Sequence, residues 1–215
     1  MQTERTTPSR LAKRASYDAA TIPPIIDDAL FCTVSYVLHG QPMAIPTALA
    51  RKDDRIYIHG SVGSHFIRSI ENGEPVCISV MHADALVLAK SAFHHSVNYR
   101  SVVLFATAEK VTDDTEKMEA LALITDQLVP GRWADLRPTT DSELRKTTVL
   151  RFSLAEASAK LRTGGPNDDA EDADLPTWTG IVPMQTVRLT PVQREGETIA
   201  LPDYLRSEVV SRPSS

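Results

Sequence analysis

Arg55-Ile56-Tyr57-Ile58-His59-Gly60-Ser61-Val62-Gly63-Ser64-His65-Phe66-Ile67-Arg68-Ser69-Ile70 changes period part-way along its length. Ile56 and Ile58 alternate with Tyr57 and His59, the pattern of a strand whose two faces differ. Glycines and serines follow, and then Phe66, Ile67 and Ile70 recur at helical spacing. Asn72-Gly73 and Pro75 stop that helix. A strand, a small-residue turn and a helix start set unpaired N–H groups and hydroxyls around one point, which suits an oxyanion. His59 and His65 add ring N–H donors. The turn reads as a phosphate cradle. By spacing alone, serines that merely cap the helix are the commoner outcome. The pattern is no Walker loop, because no Lys follows the glycines, and it is no dinucleotide fingerprint either.

Outward from this turn the chain reads as antiparallel. Phe31 to Leu38 alternates as a strand, His39-Gly40 is a two-residue hairpin turn, and Met43 to Ala50 returns. Pro46 marks that return strand as an edge, since proline cannot donate to the ladder. Arg51 to Asp54 turns again into the strand at Arg55. Beyond the helix, Val76 to Met81 and Ala85 to Ala92 read as a hairpin turning at His82-Ala83-Asp84, and Tyr99 to Val111 as a long strand. The polar run Phe93 to Asn98 breaks the pattern between them. Six antiparallel strands with one helix inserted midway predict a mainly β fold with helices, a small closed or split barrel. A short helix over Ile22 to Leu30 places Ile25, Ile26 and Leu30 inward. Asp113 and Glu116 cap a helix that runs to Val129, with Met118, Leu121, Ile124 and Leu128 inward. A shorter helix over Asp141 to Lys146 and a strand over Thr148 to Leu154 follow. Residues 1–20 read as a mobile arm, 21–185 as the folded domain and 186–215 as a tail.

Composition narrows the function classes. The chain has 215 residues and a formal net charge of -5, which argues against a nucleic-acid partner. No apolar run is long enough to span a membrane, and no signal-peptide core is visible. Cys32 and Cys77 sit singly in apolar runs, as buried thiols of a reducing, cytoplasmic compartment do. The acidic run Asp168 to Asp172 reads as a solvated loop.

No nucleophile–base pairing and no zinc motif is present. Of six histidines only His94 and His95 are adjacent. Neighbouring strand residues point to opposite faces, so no metal site is expected. Arg100, beside Tyr99 and Ser101, can form a fork to a phosphate or a carboxylate, or pair with an acidic residue across a sheet. Trp178, in a Pro-flanked segment, can plug a groove or lie against a planar cofactor.

Together these segments resemble the pyridoxamine 5′-phosphate oxidase-related, FMN-binding split-barrel proteins. The nearest likeness is to the flavin-nucleotide-binding branch related to nitroimidazole-resistance proteins. The resemblance rests on Arg14 to Asp18, Gln41 to Thr47, Ile56 to Ser61, Ser91 to Val102, Leu128 to Trp133 and Glu156 to Lys160. It implies a six-stranded antiparallel Greek-key split barrel, and a homodimer with FMN in clefts between subunits. It puts the phosphate on His59, Gly60, Ser61, Ser64 and His65, with Ile58 also in the cofactor site. The flavin ring would run along Pro46 and Thr47, with further contacts from Tyr99, Arg100, Ser101 and Trp178. The implied activity is an FMN-dependent oxidoreductase acting on a small substrate. A non-catalytic flavin-sensing protein and a haem-binding protein using His94 or His95 are the alternatives. The oxidase itself carries Arg and Lys where this chain has His65 and Phe66, so pyridoxamine phosphate oxidation is not expected.

Overall fold

Two antiparallel sheets hold the chain together. The computed structural model describes residues 2–206, so the end of the expected tail, 207–215, lies outside the described residues. The larger sheet is ordered β1 (Ala15–Ser16), β10 (Ala157–Arg162), β7 (Ser96–Thr107), β6 (Pro75–Leu88), β2 (Phe31–Leu38) and β3 (Gln41–Ala48). A last strand, β11 (Gly180–Pro183), also pairs with β6. The smaller sheet is ordered β4 (Ala50–Lys52), β5 (Arg55–Ser61), β9 (Thr147–Ser153) and β8 (Glu109–Lys110). Every pairing is antiparallel, and the fold is mainly β with few helices, as the sequence predicts.

The sheets share an aliphatic core in which Val34, Ile78 and Leu104 of the larger meet Ile56, Ile58 and Phe152 of the smaller. Helix α1 (Ile22–Asp27) adds Ile25 and Ile26, and α2 (His65–Ile70) adds Ile67 and Ile70. Burial of such side chains contributes about 1.5–3 kcal/mol each. A second cluster lies on the other face of β5, where Tyr57 and Val149 meet Ala120 and Ile124 of α3 (Asp114–Leu128). Strand β5 is therefore covered on both faces.

Turn chemistry sets the hairpins. Leu38 faces Gln41, and His39 and Gly40 both hold positive φ, 51° and 75°, the conformation that matches strand twist. Asp53, at φ 53°, turns β4 into β5. Pro46 lies on β3, which ends the larger sheet, as an edge proline should.

Several boundaries differ from the sequence reading. The expected strand 43–50 is divided at Leu49, because its last residues leave the larger sheet to pair with β5 in the smaller. The expected hairpin at 82–84 is one uninterrupted strand, β6. Strand β7 supplies a partner along nearly its whole length, and the polar Asp84 is absorbed as a bulge between Ala83 and Ala85. Ser96 to Asn98 belong to β7 rather than to a break. Leu30 is exposed instead of facing inward, since α1 ends at Asp27. Ala120 and Ile124 are the buried residues of α3, with Met118, Leu121 and Leu128 only half-buried. Asp113 caps α3 by accepting from the Glu116 amide, while the Glu116 carboxylate goes to Arg151 and Tyr57. Helix α4 (Asp141–Arg145) has the reciprocal box, between Thr140 and Glu143. Strands β10 and β11 have no counterpart in the sequence reading.

Candidate functional site

The turn between β5 and α2 forms as the glycines and serines dictate. Ser61 accepts from the Gly63 amide at 3.2 Å, and the Ser64 amide donates to the Ser61 carbonyl at 2.8 Å. Ser64 is the helix cap, its Oγ accepting from the Ile67 amide at 3.4 Å. One of the two serines is thus taken by the helix itself. The amides of His65 and Phe66 have no partner among the described residues. Gly60 permits the strand and helix to touch, for a β-carbon there would lie 2.6 Å from Ile67 Cγ1.

Strand alternation divides the predicted residues. Ile58 is fully buried in the core and Gly60 faces Ile67, so both belong to the face under α2. His59 shares the opposite face with Tyr57, and sits across from Val149. Its Nδ1 is buried without a hydrogen-bond partner. Burial holds this imidazole below its ordinary pKa, so at neutral pH it is an uncharged donor or acceptor. A buried polar atom with no protein partner is costly, and a bound ligand is one way to satisfy it. His65 is exposed.

Arg100 takes the acidic pairing rather than the open fork. Its Nε and Nη2 donate to Asp84 at 3.1 and 3.0 Å, and its Nη1 donates to Asp28 at 2.6 Å. Asp84 first and Asp28 second raise its pKa. The three groups wall a cleft of about 700 Å³ completed by Met81, His82 and Met184. Ser101 donates to the Lys160 carbonyl at 3.1 Å, and Tyr99 is half-buried on the same strand. Pro46 is exposed and Thr47 half-buried on β3. Trp178 is 66% exposed and lays its ring against Gly180, where a β-carbon would come within 2.7 Å of it.

The loop between β6 and β7 holds the adjacent histidines. His94 Nε2 lies 3.0 Å from Asp169, and the Lys90 amide donates to Asp168 at 2.7 Å, so the acidic run is stapled to this loop. His95 Nδ1 donates to the Ser91 carbonyl at 2.8 Å, which leaves Nε2 unprotonated in the neutral ring. Ser91 Oγ is the second buried polar atom without a partner among the described residues. Sequence reasoning missed Asp28 and Asp84, which carry no local signal because they meet Arg100 from a distant segment and from a bulge.

Among the described residues, no group of three His, Cys, Asp or Glu is placed to hold a metal ion. No described helix is long and apolar enough to cross a membrane. Both cysteines are free, and burial pushes the Cys32 thiol up to about 12.

Residues 18–161 match the family model described as pyridoxamine 5′-phosphate oxidase. The chain belongs to that family. Among solved structures, the flavocytochrome Anf3 from Azotobacter vinelandii is 35% identical, with 96% of this chain and 97% of that one covered and a TM-score of 0.89. An FAD- and haem-binding protein from Mycobacterium smegmatis is 34% identical over 91% of this chain and 97% of its own, with a TM-score of 0.86. A candidate 5-nitroimidazole antibiotic resistance protein from Bacteroides thetaiotaomicron shares the fold at 22% identity, covering 68% of this chain and 85% of its own, with a TM-score of 0.57. No curated protein sequence matches. Within the pyridoxamine 5′-phosphate oxidase family, the mainly antiparallel architecture is that of the flavin-binding split barrels.

Proposed function

We propose that this chain is a flavin-binding oxidoreductase that works as a homodimer in the cytoplasm. The observation that carries the reading is full-length likeness, at 34–35% identity, to a flavocytochrome and to an FAD- and haem-binding protein. FMN is the minimal ligand, whether alone or as half of FAD. The residues present fit it. The amides of His65 and Phe66 are open at the start of α2, so the ester dianion would be held by neutral donors and the positive helix end rather than by a fixed cation. His59 Nδ1, on the other face of β5, is an uncharged, orphaned buried donor or acceptor. When bound, the isoalloxazine ring supplies hydride or one-electron exchange. The chain would orient the ring and exclude water; no side chain here is placed as a dedicated acid or base.

The dimer reading draws on the outer face of the larger sheet. Met81, at 70%, is exposed on β6, as are Phe31 and Val37 on its neighbour β2, apolar side chains that a monomer has little reason to display. A second copy, covering it and closing the flavin slot, is the occupant the resemblance implies.

Protein purified from cells should be yellow and release flavin on denaturation, with chromatography separating FMN from FAD. Colourless protein that binds neither added flavin would overturn the reading. Replacing Ser61, Ser64 and His65 together by Ala should weaken flavin binding by at least about tenfold, the equivalent of one charge-assisted hydrogen bond. Steady-state NAD(P)H oxidation with quinone or nitroaromatic acceptors separates an enzyme from a flavin sensor.

Haem binding is a second reading, favoured by one geometric fact. His95 is exposed, with Nδ1–H anchored on the Ser91 carbonyl and Nε2 open, the arrangement that orients a metal-ligating imidazole. His94 is held by Asp169 instead. A Soret band on haem titration that survives His94→Ala and is lost in His95→Ala would support it; a band indifferent to both changes would not.

A further inference from the structure

We infer that a second cleft, on the edge of the larger sheet, binds the phosphate group of a phosphorylated small molecule. The cleft is about 530 Å³ and is lined by Lys13, Arg14, Ser16, Arg162, Thr163 and Asn167. Three cations meet here in a chain whose net charge is -5. None of the three has a carboxylate partner among the described residues. Like charges gathered without counter-ions repel, and an anion relieves that repulsion.

The site is built rather than incidental. Ala15 pairs with Lys160 and Ser16 with Ala159, so the preceding Lys13 and Arg14 lie beside the end of β10 that carries Arg162. Leu11 turns the chain there with φ 57°, a conformation unusual for a residue with a branched side chain. Arg162 is tethered only by neutral acceptors. Its Nη1 donates to Asn98 Oδ1, and its Nη2 donates to the Gly165 carbonyl at 3.2 Å. Asn98 is itself buried, and donates to the Gly164 carbonyl at 3.0 Å, which fixes the loop that closes the cleft. The guanidinium is thus oriented with its full charge, and its Nε–H has no partner among the described residues. The nearby acidic run forms no ion pair with it among the described residues: Asp168 accepts from the Lys90 backbone amide, and Asp169 lies 3.0 Å from His94 Nε2. Two guanidinium groups, an ammonium and the hydroxyls of Ser16 and Thr163 are the chemistry of a phosphate or diphosphate ester.

This cleft belongs to the larger sheet, and the turn assigned to the flavin belongs to the smaller, so the two readings stand or fall separately. The test is calorimetric titration of the purified protein with inorganic pyrophosphate, before and after loading with FMN. One site per chain is expected. Arg14→Gln and Arg162→Lys should each weaken it about tenfold or more, and Arg194→Gln should leave it unchanged. Arg14 makes no side-chain bond among the described residues, so its variant is expected to fold even if an Arg162 variant does not. Pyrophosphate that competes with FAD but not FMN would assign the cleft to the dinucleotide's diphosphate. Binding additive to either flavin would assign it to a separate phosphorylated molecule. Both outcomes support the site. No binding at millimolar pyrophosphate, affinity equal for sulfate, or affinity untouched by Arg14→Gln would overturn it. Flavin binding with no pyrophosphate binding would leave the flavin reading intact.

Discussion

Arg100 and Arg162 sit on neighbouring strands, and their clefts differ in one respect: who holds the guanidinium. Two carboxylates hold Arg100, Asp84 across the β6 bulge and Asp28 after α1, so its cleft has a negative balance. Neutral oxygens hold Arg162, from Asn98 and the loop carbonyls, so its charge remains on offer. An arginine in a cleft is therefore no sign of an anion site until its partners are known. The counter-ions decide.

Removing the carboxylate-bound arginine should have the larger effect. Arg100→Leu leaves Asp28 and Asp84 facing each other, and with these groups partly exposed the loss is about 1–2 kcal/mol. Urea unfolding measures it; a loss below about 0.3 kcal/mol would mean that solvent already screens the triad. Arg162→Leu should cost about 1 kcal/mol, because Asn98 Oδ1 loses a partner while no charge is stranded. If the two substitutions cost the same, the carboxylates add nothing that neutral oxygens do not.

His59 supplies a neutral reference outside both clefts. Its folded pKa is depressed by burial, while the unfolded chain binds that proton near the ordinary value of 6.5. The stability of keeping the ring neutral is complete above that value and is lost as pH falls below it. His59→Asn should flatten the slope of stability against pH below 6.5 in the ligand-free protein. An unchanged slope would place the acid sensitivity elsewhere. The smallest expected change is Arg14→Gln, which should raise stability by a few tenths of a kcal/mol at low salt. That gain should vanish at high ionic strength, because salt screens the repulsion it removes.

Legibility followed the range of the interaction concerned. The turn after β5 was readable because glycines, serines and a change of period are local signals, and the Ser64 cap forms where expected. The hairpin at His39-Gly40 and the edge position of Pro46 were readable for the same reason. The 82–84 turn was misread because polar Asp84 resembles a loop residue until a bulge and Arg100 accommodate it. Strand β10 alternates strictly, Ala157, Ala159 and Leu161 against Ser158, Lys160 and Arg162, but alanine and lysine are poor strand formers, so only β7 beside it makes it a strand.

By itself the sequence determined the mainly β class, the strand–turn–helix at 55–70, and the family resemblance borne out by the match over 18–161. Backbone period, turn residues and motif identity are properties of neighbours in the chain, so they survive without coordinates. Only the tertiary structure decided which arginine is neutralised, which ring nitrogen is buried unpaired, and where Lys13 and Arg14 meet Arg162. Those outcomes depend on residues brought together from distant parts of the chain. Electrostatics acts through space, falling with distance in ångströms and not with separation in sequence.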